Sequence, residues 1–182
     1  MEDKALLSTE EASGAEKAEL LIVIPAYNEA ENIERVVNHL TANFPQYDYV
    51  VVNDGSRDET AAICQRNGYN LLNLPVNLGL AGAFQAGLKY ADKYGYQYAV
   101  QLDGDGQHRP EYLESMIKKM EEGYDIVIGS RFVGEKKPFT MRMLGSNLIE
   151  MAIRFTTGVN IKDPTSGMRM FSKRMIANCI GA

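Results

Sequence analysis

Short apolar runs of strand length alternate along the chain with stretches whose apolar residues recur three and four positions apart. Leu20 to Ile24 is the first such run, followed by Pro25 and then by Ile33, Val36, Val37 and Leu40 at helical spacing. That helix is predicted to open at Asn28, where Asn28 and Glu31 form an N-x-x-E capping box. Tyr49 to Val52 is the second run, and Ser56 with Glu59 predicts a second capping box before Ala62 and Ile63. The alternation continues with Asn70 to Leu74 and a helix from Gly79 to Tyr94. Gln97 to Leu102 follows, then a helix whose first residue is Pro110 and whose buried stripe is Leu113, Met116, Ile117 and Met120. Asp125 to Ile128 is the fifth strand, ahead of a looser region and a helix from about Arg142 to Phe155. Strands alternating with helices predict an α/β fold with a mostly parallel sheet flanked by helices.

In open sheets of this kind ligands bind beyond the carboxyl ends of the strands. The segments expected there are Pro25-Ala26-Tyr27-Asn28-Glu29, Asn53-Asp54-Gly55-Ser56, Asn77-Leu78-Gly79, Asp103-Gly104-Asp105-Gly106-Gln107 and Gly129-Ser130-Arg131. Every segment rich in polar chemistry falls on that one edge. The opposite turns, such as Phe44-Pro45-Gln46-Tyr47 and Asn67-Gly68, carry none.

Size narrows this picture without naming a chemistry. A chain of 182 residues, 45% hydrophobic, suits one domain with a buried core. Residues 1–19 are rich in Ala, Glu and Ser, lack a basic start followed by an apolar run, and read as a disordered leader rather than a secretory signal; the domain is expected over 20–182. No apolar stretch approaches the roughly 20 residues that span a bilayer. Cys64 and Cys179 lie far apart in predicted helices, which suits free thiols in a reducing compartment. The net charge of −5 is uneven: Gly129 to Arg174 holds nine Lys/Arg against three acids, so the rest of the chain carries −11. A basic third of this kind suits a phosphorylated partner or an anionic membrane.

Asp103-Gly104-Asp105 is the sharpest local feature. Two carboxylates at i and i+2 on an extended strand tip face one side, and the glycine between them lets a diphosphate approach the backbone. Together they can hold one hard divalent cation, with Gln107 as a further neutral oxygen. Asp54 stands at a strand tip where a carboxylate accepts hydrogen bonds from a base or a ribose, while Ser56 reads as a helix cap. Tyr27 and Glu29 offer a stacking face and an acceptor beside it. Gly79, Gly82 and Gly87 do not form GxGxxG, no GxxxxGK[ST] occurs, and close packing of helix on sheet explains these glycines as well as phosphate contact does. His39 reads as a helix-surface residue, and His108 as a neighbour of the DGD segment.

In the order IPAYNE, VVNDGSRDET, NLGLAGAFQAG, LDGDGQHRPE, IGSRF and DPTSGMRMFS, from about Leu20 to Phe171, the chain resembles the family 2 inverting glycosyltransferases of GT-A fold, a Rossmann-like architecture. Within them it is similar to the polyprenyl-phosphate glycosyltransferases related to dolichol-phosphate mannosyltransferase. The resemblance implies a nucleotide-sugar site of Pro25, Ala26, Tyr27, Glu29, Val52 and Asp54. It puts Asp103, Gly104, Asp105 and Gln107 at metal and diphosphate, and Arg131 at a donor or acceptor phosphate. Asp163 to Arg169 then resembles the loop that closes over the acceptor side. Two departures stand out. Asn53-Asp54 replaces the pair of aspartates frequent in the family, and the chain stops at Ala182, where relatives commonly continue into further helices and often membrane spans, so C-terminal truncation is expected.

The implied reaction moves a sugar in one inverting step from GDP-mannose or a UDP-hexose, with Mg²⁺ or Mn²⁺ neutralising the leaving diphosphate. A dolichyl or undecaprenyl phosphate acceptor arrives ionised and needs no base. A saccharide hydroxyl, as in polysaccharide or cell-wall glycan synthesis, would need one, and Asp163 is the candidate. The absence of tryptophan excludes the QxxRW motif of processive synthases within these 182 residues. A sugar nucleotidyltransferase is the weaker alternative because PAYNE stands where its GxGTR loop belongs; a non-catalytic nucleotide-binding domain also fits. Asp105, Arg131 and Asp163 are thus the catalytic candidates. The expected setting is the cytoplasm or the cytoplasmic face of a membrane reached through parts beyond this chain, with no nucleic-acid partner.

Overall fold

The computed structural model describes residues 19–103, 110–129 and 167–181. Its chain order begins β1 (Leu20–Ala26), α1 (Ile33–Asn43), β2 (Asp48–Asp54), α2 (Thr60–Arg66), β3 (Leu71–Leu74), α3 (Gly79–Lys93) and β4 (Tyr98–Gln101). A 3-10 turn (Pro110–Tyr112), α4 (Leu113–Glu121), β5 (Ile126–Ile128), β6 (Arg169–Ser172) and α5 (Lys173–Ile180) follow. The strands form one sheet in the order β3-β2-β1-β4-β6-β5.

All seven residues of β1 are buried, as a central parallel strand covered on both faces requires. Its side chains alternate between two core layers. Leu20, Ile22 and Ile24 meet α1 and α4 through Ile33, Val37, Leu40, Leu113 and Met116, whereas Leu21 and Val23 meet α3 and α5 through Ala83, Phe84, Leu88 and Ile176. The α3 layer sits so close that a Cβ on Gly87 would penetrate the side chain of Val23, which assigns that glycine to helix-on-sheet packing.

The strands β3, β2, β1 and β4 are mutually parallel, with Ala26 level with Asn53 and Val23 level with Gln101. Connections run from β1 outward to β2 and β3, then return to β4 on the other flank of β1. The carboxyl ends of β1 and β4 therefore border the switch point where such sheets open a crevice.

Three local expectations are corrected. The helix expected at Asn28 starts at Ile33, and its N-cap residue, Asn32, makes no side-chain cap. Asn28 has φ 56° and its side-chain oxygen accepts Arg57 N–H, so the asparagine bridges loops instead of capping. Ser56 does not cap α2 either: that helix starts at Thr60, and Ser56 Oγ accepts from Asn28 N–H. Finally, Arg169 belongs to a strand and not to a closing loop, because β6 runs antiparallel between β4 and β5. Since β4 and β5 both oppose β6, they point the same way, and Gly129 still leaves the sheet on the polar edge. The helix expected at 142–155 and the leader up to residue 18 lie outside the described residues.

Cys64 is buried and Cys179 half-buried, and both are free thiols on helices as expected. The side chain of Ser172 caps α5 through Met175 N–H and also donates to Asp125, which pairs with Arg174.

Candidate active site

A cavity of about 430 Å³ opens at the carboxyl ends of β1, β2 and β4. Pro25, Ala26, Tyr27 and Glu29 form one wall, Asp54 and Asp103 stand on neighbouring strand ends, and Asn77, Gly79, Leu80 and Ala83 close the side toward α3. Six residues expected at a nucleotide site from sequence thus share one hollow. Tyr27 is 43% exposed, which leaves aromatic surface available for stacking. Glu29 Oε2 accepts from Asn32 Nδ2 at 3.0 Å, which orients the carboxylate beside the cavity.

Asp54 is buried to 3% exposure at the end of β2, and its Oδ1 accepts Leu78 N–H at 2.7 Å. The carboxylate borders the cavity and at the same time anchors the turn into α3. Gly55 beyond it has φ 65°, and a Cβ there would stand 2.8 Å from Asn77 N, so the turn requires glycine. Asn53 is buried, donates through Nδ2 to Asn73 Oδ1 and accepts Ser56 N–H at 3.3 Å. An amide can do both, whereas an ionised carboxylate only accepts.

Asp103 leaves β4 half-buried, and Gln101 Nε2 donates to its Oδ1 at 2.9 Å. Gln101 is itself 5% exposed and lies two positions back on the same side of the strand. A carboxylate held in this way at a cavity wall is a hard oxygen donor of the type that Mg²⁺ or Mn²⁺ takes, although among the described residues no group of three or more His, Cys, Asp or Glu side chains gathers around one point. Gly104, Asp105, Gln107 and His108 lie outside the described residues, as do Arg131 and Asp163.

Val52 does not reach the cavity. Its side chain is fully buried in the core layer under α3. His39 is an exposed residue of α1 stacked edge-on to Phe44, as expected. Sequence reasoning missed Gln101, Leu80 and Ala83 as neighbours of the site, whereas Asn77 and Gly79 lie in a segment it placed on this edge. For Gln101 a signal existed in the two-residue period of the strand; Ala83 carries none, being an ordinary helix residue. A second hollow of about 540 Å³ lies between α3, β4, β6 and α5; it is bordered by Gln101 and Arg169 and shares Leu80 with the first.

The sheet, with carboxylates around a hollow at its β1/β4 switch point, has the GT-A fold of its solved neighbours. Solved structures agree: glucosyl-3-phosphoglycerate synthase from Mycobacterium tuberculosis, in complex with Mn²⁺ and UDP-glucose, superposes with a TM-score of 0.66 at 21% identity over 85% of this chain and 56% of that one. The glycosyl transferase family 2 model matches residues 21–179, and the chain belongs to that family. It is 33% identical over 165 residues to the polyprenol monophosphomannose synthase of Mycolicibacterium smegmatis, covering 86% of this chain and 62% of the relative. To the undecaprenyl-phosphate mannosyltransferase of Micrococcus luteus it is 32% identical over 160 residues, covering 84% and 65%. The dolichol-phosphate mannosyltransferase of Pyrococcus furiosus is 31% identical over 166 residues, covering 85% and 46%. The chain therefore spans between about half and two thirds of the length of these three relatives.

Proposed function

We propose that this chain is the catalytic domain of an inverting glycosyltransferase that moves a hexose from GDP-mannose or a UDP-hexose to a polyprenyl phosphate. The observation that carries the reading is the convergence of Tyr27, Glu29, Asp54 and Asp103 on one cavity, in a family whose relatives above bear polyprenyl-phosphate names. Asp54 and Glu29 supply acceptors for a base or ribose, and Tyr27 a stacking face. Asp103, with Asp105 and Gln107, would hold Mg²⁺ or Mn²⁺, which when bound stabilises a leaving diphosphate as a Lewis acid. Arg131 would meet a phosphate, since a guanidinium can fork onto two of its oxygens as lysine cannot.

A lipid phosphate attacks in its ionised form, so the reaction asks no residue to remove a proton. Such an acceptor resides in a bilayer, and the reading assigns the work to the cytoplasmic face of a membrane. Among the described residues no helix is long and apolar enough to cross one. The test is incubation with radiolabelled GDP-mannose, UDP-glucose and UDP-GlcNAc in the presence of added saccharides, with and without polyprenyl phosphate. Label in the lipid fraction only when polyprenyl phosphate is present is the expected result; label on added saccharides alone would overturn the acceptor assignment.

A further inference from the structure

The segment that brings Tyr27 and Glu29 to the cavity is held from outside itself. Three consecutive backbone N–H groups, those of Asn28, Glu29 and Ala30, donate to side chains of the β2–α2 loop and of the first residue of α2: Ser56 Oγ at 3.0 Å, Thr60 Oγ1 at 2.9 Å and Asp58 Oδ2 at 3.1 Å. Asn28 Oδ1 returns one bond by accepting Arg57 N–H at 2.9 Å. The two loops close on each other like a clasp, and the residues bordering the cavity, Tyr27 and Glu29 on one loop and Asp54 ahead of the other, lie beside its bonds.

Thr60 is the hinge pin of this clasp. Its side chain is fully buried, although it opens a helix. A hydroxyl has one proton to give, and here it goes to Asp58 Oδ1, which leaves the oxygen lone pairs free to accept Glu29 N–H. Asp58 accepts in addition from Thr60 N–H at 3.0 Å, so one carboxylate settles both the hydroxyl of Thr60 and the backbone of Ala30. Without the Thr60 hydroxyl, Glu29 keeps its side chain but loses the backbone bond that aims it; without the Asp58 carboxylate, that hydroxyl loses the acceptor that orients it and Ala30 N–H loses its partner.

We propose that Thr60, oriented by Asp58, is a positioning residue for the donor nucleotide: it sets Glu29 and Tyr27 against Asp54 without itself touching the ligand. The inference rests on the nucleotide-site reading given above. Calorimetry on the full chain, with UDP and with GDP in the presence of Mn²⁺, compares wild type with Thr60→Val, Thr60→Ser and Asp58→Asn. Thr60→Val keeps the shape and removes the hydroxyl, and is expected to weaken the nucleotide that wild type binds about fivefold, the worth of one net hydrogen bond. Thr60→Ser retains the hydroxyl and should stay within about twofold of wild type. Asp58→Asn, at an exposed position, removes the charge and one of the two acceptor oxygens and should weaken binding in the same direction; in the Thr60→Val/Asp58→Asn pair the losses should sum to less than the separate effects, because both act in part through one relay. Amide exchange at Glu29 and Ala30 should accelerate in the weakened variants while that of Val23 in β1 stays slow.

The failures are separable. Wild type that binds neither nucleotide overturns the donor-site reading and the inference with it. Wild type that binds, alongside Thr60→Val or Asp58→Asn of unchanged affinity, overturns the positioning role alone. Should Thr60→Val fail to fold, the exposed Asp58→Asn variant decides by the same criterion, and weakening shared equally by Thr60→Ser would also sink the role, since the hydroxyl is then irrelevant.

Discussion

Asp54 Oδ1 accepts the backbone N–H of Leu78 at 2.7 Å, so one buried carboxylate both borders the candidate donor cavity and fastens the turn that starts α3. The two roles separate in mutants. Asp54→Ala should weaken nucleotide binding by about 1–3 kcal/mol and lower stability by about 1 kcal/mol, because Leu78 N–H loses its partner. Asp54→Asn retains an oxygen for Leu78 and should melt like wild type while binding nucleotide less well. Calorimetry and thermal melts check the pair; normal binding by both variants would reduce Asp54 to a turn residue.

Donor binding should depend on a divalent cation, since Asp103 with its DGD partners is read as a hard-oxygen clamp. Titration of UDP or GDP with Mn²⁺ and again with EDTA measures this. Equal affinities under the two conditions would remove the metal from the mechanism.

Gly87→Ala pits two effects of opposite sign against each other. Helix propensity favours alanine by about 1 kcal/mol, but the new methyl would run into Val23 in the middle of the sheet, and overpacking of that kind costs about 1–3 kcal/mol. Net destabilisation is expected in urea unfolding. Adding Val23→Ala should recover part of it, and a Gly87→Ala protein more stable than wild type would contradict the close packing.

Acid should loosen the clasp. Desolvation acts to raise the carboxyl of Asp58, but hydrogen bonds from the Thr60 hydroxyl, Thr60 N–H and Ala30 N–H outweigh it and hold the group below its ordinary value. A depressed carboxylate contributes stability that is complete above its unfolded pKa, about 3.9, and is lost as pH falls through the lower folded value. Melting temperatures of wild type and Asp58→Asn between pH 6 and pH 3 should therefore converge at the acid end. A constant gap across that range would show that Asp58 does not act through its charge.

Much of this protein was legible in one dimension. The apolar run Leu20 to Ile24, the helical spacing of Ile33, Val36, Val37 and Leu40, and the stripe Leu113, Met116 and Met120 all lie where their periods place them, because burial on one or two faces is written residue by residue. The same alternation implied that Tyr27, Glu29, Asp54 and Asp103 would meet at one edge. What only the tertiary structure decided are choices between partners distant in the chain. Asn28 and Ser56 have the chemistry of helix caps, yet the parallel register that sets Ala26 beside Asn53 brings their loops together, and each finds its partner across the gap instead of three residues on. Arg169 to Ser172 becomes a strand because β4 and β5 leave a place between them, a pairing across more than forty residues that no short window records. Local periodicity is enforced by burial of the segment itself; the destination of a hydrogen-bonding side chain is set by whichever donor the folded sheet delivers to it.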